Sequence, residues 1–204
     1  MLTGTLSLDL FAGAMTQLVN DAEGGIRYWP GFVDAALAQE WFAVLHAKAA
    51  WTHLRRPMYD CVVDVPRLLA SYRTDAFPPE LPLADMLTRV QAVATAPYNG
   101  VGMNLYRDGN DSVAMHSDKM HLLTRPHPIA LVSLGDPRRM LIRAKTRGRS
   151  TIAIDLEPGS LLCMSHASQL THEHGIPKTM KPQGPRISAV FRVRPENREI
   201  GQRA

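Results

Sequence analysis

The chain has 204 residues, of which 45% are hydrophobic and 21% charged, the values of a globular domain long enough to bury a core without disulfides. It has two cysteines outside any CxxC or Cys/His spacing and no apolar run near the roughly 18 residues of a membrane span, so we expect neither a disulfide framework, nor a structural zinc site, nor a membrane protein. The net charge of +4 and the pI of about 9.3 suit a polyanionic partner. The first ten residues have no basic n-region followed by a cleavage site, so we expect a cytoplasmic protein.

The first half of the chain predicts a short strand in "GGIRYWPGF" and then two helices. One helix is expected over 34–51, with Asp34 as N-cap and apolar residues at helical spacing, and the other over 83–96. Between them, residues 61–82 are broken by prolines and indicate either a long surface loop or paired short strands, which in compact domains often form a lid over a binding site.

After Tyr98 the chain consists of short β-rich runs separated by turn residues: "VGMNLYRDG", "HPIALVSLGD", "RRMLIRAK", "STIAIDL", "GSLLCMSH" and "RISAVFRVR". Regular short strands of this kind predict an antiparallel double-sheet roll. With the two helices packed on one face, the expected fold is α+β, a jelly roll or double-stranded β-helix. We expect one domain over 1–204, with an N-terminal extension over 1–97 and a β-roll core over 98–194.

The segment "MHSDKMH" places His116 and Asp118 two residues apart, on the same side of an extended chain. A metal site needs a third ligand, for which His174 in "HGIPK" is favoured and His172 is the main rival. The other downstream candidates are His121, His127 and His166. Two histidines and one carboxylate form the facial triad of non-haem Fe(II) oxygenases, although chance produces an HxD with a distant histidine often.

In "RISAVFR" Arg186 and Arg192 lie on the same face of a hydrophobic strand, where a buried guanidinium needs an anion. Their separation of about 20 Å suggests that one holds the distal end of a dicarboxylate while the other lies near the metal. Salt bridges to Asp155 or Glu157 are the structural alternative. Two neutral donors for carboxylate oxygens precede the HxD motif: Asn104 and Tyr106.

The ordered segments "NLYRDG", "HSD", "PIALVSLGD", "GSLLCMS", "HGIPK" and "RISAVFR" resemble the AlkB family of Fe(II)- and 2-oxoglutarate-dependent dioxygenases, over roughly residues 26–194. The resemblance implies an iron site and settles His174 over His172; its ligands would be His116, Asp118 and His174. It also implies a site for the co-substrate 2-oxoglutarate, formed by Asn104, Tyr106, Arg186 and Arg192. Ser188 stands where some members carry an amide beside the co-substrate, and it would join that site.

The function that the resemblance implies is oxidative dealkylation of N-alkylated nucleobases in DNA or RNA, of the alkylation-damage repair type. It would be coupled to O2-dependent decarboxylation of 2-oxoglutarate to succinate. The expected partner is single-stranded nucleic acid or duplex with a flipped base, bound by a monomer. The alternatives are a dioxygenase of this fold acting on protein or a small molecule, a non-catalytic basic β-roll that binds nucleic acid, and a cupin-like roll with structural zinc or manganese.

The candidate substrate residues fall in three places. The region 58–75 corresponds to the family's nucleotide-recognition lid, and the residues that could stack on or hydrogen-bond the base are Tyr59, Arg67 and Tyr72. The segment 138–149 is basic and could hold phosphates through Arg138, Arg143 and Arg147, although a solvated hairpin would look the same. Met120 stands where repair members often carry an acidic residue, which argues against the usual preference for 1-methyladenine and 3-methylcytosine and leaves room for bulkier etheno adducts, RNA or another modified base.

Overall fold

The computed structural model describes residues 14–58, 61–146, 148 and 150–195. The strands and helices follow in the order β1 (Thr16–Val19), β2 (Ile26–Trp29), α1 (Ala35–Lys48), β3 (Thr52–Met58), β4 (Cys61–Arg73), α2 (Leu83–Val93), β5 (Gly100–Tyr106), β6 (Val113–His116), β7 (Ile129–Gly135), β8 (Arg138–Ala144), β9 (Thr151–Leu156), β10 (Ser160–Met164), α3 (Ser168–Thr171), β11 (His172–Ile176) and β12 (Arg186–Arg192). In this part of the chain no helix has the length and apolar character that a membrane crossing requires.

The strands form two antiparallel sheets. The major sheet has the order β1-β2-β10-β7-β12-β5-β4-β3, and the minor sheet has the order β6-β11-β8-β9. Strands that are far apart along the chain are adjacent in both sheets, such as β2 with β10 and β6 with β11, as a roll requires. The prediction of an α+β jelly roll with N-terminal helices is confirmed.

Strand alternation gives the major sheet two buried faces. Its outer face, which includes Val101 and Met103 of β5, packs against the two helices in one hydrophobic cluster. Its inner face packs against the minor sheet, for example through Leu131 of β7 and Ile142 of β8. The space between the sheets is therefore where inward-facing polar side chains of either sheet can meet.

The two predicted helices are present and shorter than predicted. The N-cap prediction for α1 holds, because the side chain of Asp34 accepts a hydrogen bond of 2.8 Å from the Leu37 N–H. The helix buries Trp41 and Leu45, and α2 buries Met86 and Val90. Both helices thus cover the outer face of the major sheet, on the side away from the minor sheet.

Residues 61–73 form one long strand rather than a surface loop. It pairs with β3 on one side and β5 on the other. The pairing with β3 shifts between His53 and Arg55, opposite the stretch of β4 that contains Pro66. A bulge of this kind accommodates a proline that could not join a regular ladder. The region is therefore extended and paired, but as one long strand that pairs with β3 and β5 rather than as paired short strands within 61–82.

Candidate metal and anion site

The structure brings His116, Asp118 and His174 together, with one ligand atom from each lying within 4.8 Å of the others. His116 ends β6 and lies directly opposite His174 on β11. Their ring centroids are 4.5 Å apart. His172, the rival third ligand, instead has its Nδ1 2.8 Å from the Thr171 hydroxyl, outside this cluster. The arrangement gives a divalent ion two imidazoles and one carboxylate.

The protonation states at this cluster suit a metal. Burial opposes the ionisation of Asp118, but Arg192, whose Nε lies 2.7 Å from the Asp118 Oδ2, holds the pKa of that carboxyl below its usual value of 3.8. Burial also lowers the pKa of His174 to about 4. Near pH 7 the site therefore presents an ionised carboxylate and a neutral imidazole, the forms that bind metal ions.

Two hydrogen bonds tie the HxD segment to the segment that carries His174. The Ser117 hydroxyl donates to the His172 carbonyl at 2.8 Å, and the Asp118 backbone N–H donates to the Gln169 Oε1 at 3.0 Å. Gln169 is buried, and its main-chain carbonyl accepts a hydrogen bond of 2.8 Å from the Lys145 Nζ. Sequence analysis missed Gln169, because an isolated glutamine in "SHASQL" belongs to no metal-binding pattern. The two bonds fix the HxD segment relative to the residues that lead into β11, the strand that carries His174.

A second buried group lies deeper between the sheets. Arg186 is fully buried, its Nε donates to the Ser133 hydroxyl at 3.0 Å, and its Nη1 and Nη2 have no partner among the described residues. The alternative for the buried arginines is a salt bridge to Asp155 or Glu157. Asp155 instead pairs with Arg139, with 2.8 Å between Nη2 and Oδ2. Two unpaired donors on a buried cation are unfavourable unless an anion such as a carboxylate accepts hydrogen bonds from them.

The other residues predicted for the co-substrate lie on the same inner face. Tyr106 pairs with Arg186 across β5 and β12, and Asn104 pairs with Ser188. The Asn104 amide donates to the Ser188 hydroxyl at 3.3 Å. The Tyr106 ring lies 5.2 Å from the Arg186 Cζ. The face thus runs from the unpaired Arg186 guanidinium, past these side chains, to Arg192 beside the metal ligands.

The predicted lid residues lie in different places. Tyr59 falls outside the described residues. Arg67 lies on the inner face, where its Nε donates to the Asn104 Oδ1 at 2.7 Å. Tyr72 lies on the outer face, packs against the helix-side core and accepts at 2.8 Å from the Ala50 N–H. The prediction that Tyr72 contacts a base is therefore wrong, because the sheet separates it from His116. Met120 is half-buried in a short 3-10 turn, two residues beyond Asp118.

The basic segment is also not what the sequence suggested. Arg138 is buried and donates to three carbonyl oxygens at 2.9 Å, those of Asp108, Asp111 and Pro177. It therefore cannot reach a phosphate, and that prediction is wrong. Arg143 pairs with Glu173, with 2.7 Å between Nε and Oε1. Arg147 lies outside the described residues.

Comparison with known proteins gives a consistent result. The family model of the 2OG-Fe(II) oxygenase superfamily matches residues 25–194. The "Alpha-ketoglutarate-dependent dioxygenase alkB homolog 3" of Bos taurus is 32% identical over 183 residues, which cover 80% of this chain and 64% of the relative. The "DNA oxidative demethylase ALKBH2" of Bos taurus is 34% identical over 111 residues, which cover 51% of this chain and 40% of the relative. The chain thus spans less than two thirds of the length of these relatives.

Two solved structures share the fold. The structure of OsALKBH1 superposes with a TM-score of 0.59 at 14% identity, over 82% of this chain and 96% of the other. A 2OG-Fe(II) oxygenase family oxidoreductase from Burkholderia pseudomallei superposes with a TM-score of 0.56 at 15% identity, over 82% of this chain and 84% of the other.

Proposed function

We propose that this chain oxidatively dealkylates N-alkylated nucleobases in DNA or RNA. The chain belongs to the AlkB family of Fe(II)- and 2-oxoglutarate-dependent dioxygenases, within the 2OG-Fe(II) oxygenase superfamily. One observation carries the proposal. The space between the two sheets holds a His-Asp-His cluster beside Arg192 at one end of β12 and a buried guanidinium with two unpaired donors, that of Arg186, at the other end. Such an arrangement suits a ligand that is both a metal chelator and a carboxylate, as 2-oxoglutarate is.

The residues present fit the two groups that the family uses. His116, Asp118 and His174 would hold Fe(II), since their donor set is the two-histidine, one-carboxylate triad of such sites. Arg186 would receive a carboxylate of 2-oxoglutarate on its two unpaired N–H groups, which the planar guanidinium presents side by side. When bound together, Fe(II), 2-oxoglutarate and O2 would supply oxidation of the N-alkyl carbon, with succinate, carbon dioxide, an aldehyde and the restored base as products.

The protein's own part is to place and screen these groups. Arg192 keeps Asp118 ionised and oriented, and Gln169 and Ser117 fix the segment on which Asp118 lies. Burial of His174 closes one side of the cluster, whereas the His116 side chain is 41% exposed. We infer that the substrate base approaches on the side of His116, where Arg67 from β4 and Met120 are placed to contact it. A thioether there favours packing against the base over hydrogen bonding to an amine.

The choice of nucleic acid as substrate is supported by the relatives rather than by a contact in this molecule. The ALKBH2 relative is named a DNA oxidative demethylase. The chain's net charge of +4 is compatible with a polyanion.

The test is succinate formation by the purified protein with Fe(II), ascorbate and 2-oxoglutarate, with and without oligonucleotides that carry methylated or etheno bases. We expect succinate to increase with an alkylated oligonucleotide. His116→Ala should abolish this turnover, and His172→Ala, which removes a nearby histidine outside the cluster, should retain it.

Two results would contradict the proposal. Turnover that does not depend on any oligonucleotide would move the substrate to proteins or small molecules. No turnover by folded, iron-loaded protein would contradict the dioxygenase activity itself.

A further inference from the structure

A groove of about 630 Å³ opens at the metal end of β12. It is lined by residues from three segments, 97–99, 123–127 and 193–195, and we call it the Arg194 groove. The second segment follows the HxD motif closely, so the groove begins a few residues from Asp118. Its lining is largely apolar, with Leu123 and Val193 among the contributors, and the side chains of Asn99, Arg125 and Arg194 place polar and positively charged groups on it.

Arg194 is held in the groove by its backbone. Its N–H donates to the Asn99 Oδ1 at 2.8 Å, and its carbonyl accepts from the Asn99 Nδ2 at 2.8 Å. The side chain lies over Gly100, where an added Cβ would be 3.7 Å from the Arg194 Nε. The guanidinium therefore lies on the inner face of the sheet, next in line after Arg192.

This guanidinium makes no direct contact with an anion among the described residues, although the charge of Asp118 acts on it from nearby. No hydrogen bond or ion pair from it is found among the residues that the structure describes, whereas the neighbouring Arg192 is paired with Asp118 at 2.7 Å. Burial and the charge of Arg192 lower the pKa of Arg194, and the charge of Asp118 offsets this only in part. In the same groove the Thr124 hydroxyl is buried without a partner among the described residues. A partly desolvated cation beside a like charge is stabilised by an incoming anion.

The basic segment on β8 offers less. Arg139 pairs with Asp155 at 2.8 Å and Arg143 pairs with Glu173 at 2.7 Å. The Lys145 Nζ donates to the Gln169 carbonyl at 2.8 Å. A phosphate would have to displace a carboxylate from each arginine, which removes most of the electrostatic gain.

We propose that the Arg194 groove binds a backbone phosphate of the nucleic-acid strand whose base enters the metal site. The proposal rests on the proposed function and adds the path of the strand: along the groove, past the exposed side chains of Lys119 and His121, rather than across the outer face of β8. The Arg125 side chain is 76% exposed, and although its Nε pairs with Glu23 at 3.1 Å, it can contribute to the same surface.

The experiment is fluorescence anisotropy of a labelled single-stranded oligonucleotide, titrated at several salt concentrations. Each phosphate contact contributes about 0.7 to the slope of log K against log salt for a single strand. We expect Arg194→Gln to lower the slope by about 0.7 and to weaken binding roughly tenfold at low salt. Arg194→Lys should keep the slope. Arg125→Gln provides a second groove variant should Arg194→Gln fail to fold, and Arg139→Gln is the matched control on β8.

The outcomes separate the two proposals. A slope lowered by the groove variants and not by Arg139→Gln supports the inference. A slope lowered by Arg139→Gln and unchanged in the groove variants overturns the inference and leaves the proposed function intact. Wild-type protein that shows no salt-dependent binding at all overturns both the inference and the nucleic-acid part of the proposed function.

Discussion

Arg186→Met is expected to stabilise the ligand-free protein while abolishing 2-oxoglutarate binding. The two unpaired Nη groups cost about 1–3 kcal/mol each, whereas the hydrogen bond to Ser133 and the contact with the Tyr106 ring contribute about 1 kcal/mol each. The balance is about 0–4 kcal/mol, and its central value predicts a gain of about 2 kcal/mol in the free energy of unfolding, within the range seen when buried ionic groups are replaced by apolar ones. For a chain of this size a gain of about 2 kcal/mol corresponds to about 4–8 °C in Tm.

Arg138→Met is the matched control, because Arg138 also lies against the Tyr106 ring, with its Cζ at 5.6 Å. Its guanidinium is satisfied by three carbonyl oxygens, which the substitution would leave without this donor. We expect a loss of about 2–4 kcal/mol in the free energy of unfolding. The same substitution at two buried arginines should therefore change stability in opposite directions.

The assay is chemical denaturation with and without 2-oxoglutarate, with Mn(II) in place of iron to prevent turnover. Losing two charge-assisted hydrogen bonds should weaken 2-oxoglutarate binding at least about a hundredfold, so only the wild type should gain stability from it. The reasoning about Arg186 is refuted if Arg186→Met is destabilised as much as Arg138→Met, or if it still gains stability from 2-oxoglutarate.

Three further expectations follow from other contacts. Gln169→Met should weaken Mn(II) affinity, measured calorimetrically, by about ten- to a hundredfold, because the Asp118 backbone N–H loses its hydrogen-bond acceptor. Gln169→Glu keeps an acceptor oxygen and should keep most of the affinity. Tyr72→Phe should lower the free energy of unfolding by about 1 kcal/mol and leave the KM for an oligonucleotide unchanged. A raised KM would instead indicate that Tyr72 contacts the substrate. Burial opposes the ionisation of Asp111, yet hydrogen bonds from Arg107 hold the pKa of its carboxyl below 3.8. The ion pair therefore contributes its full stability above pH 3.8, and this contribution is lost as the pH falls through the lower pKa of the folded state. The free energy of unfolding, measured by chemical denaturation at a series of acidic pH values, should therefore fall less steeply with decreasing pH in Asp111→Asn than in the wild type. The same pH dependence in both proteins would contradict this.

The inner face of the major sheet could be predicted from the sequence because strand alternation is a local property. Residues an even number apart in "RISAVFR" share a face whatever the strand pairs with, and the structure does place Arg186, Ser188 and Arg192 together. The HxD motif is equally local. His174 could be favoured over His172 only weakly from the residues, because both lie on one side of β11, and the choice rested on the resemblance.

Other features depend on pairings that a sequence does not show. Arg138 and Arg139 are adjacent basic residues, and only the packing of β8 against the major sheet determines that Arg138 is buried and Arg139 exposed. Tyr72 was assigned to the lid from its position in the chain, whereas its partner Val101 on β5 places it on the helix side. The bulge at Pro66 is likewise invisible until β3 is aligned with β4.

The antiparallel pairing of β6 with β11 also determines when, during synthesis, the protein can acquire its metal. His116 and His174 are neighbours in space, but β7 to β10 lie between them along the chain. A nascent chain that ends before β11 has the HxD pair and no third ligand, and two ligands on an unfolded segment hold a divalent ion weakly. A complete set of three ligands for iron is therefore expected only once β11 has been made and has paired with β6.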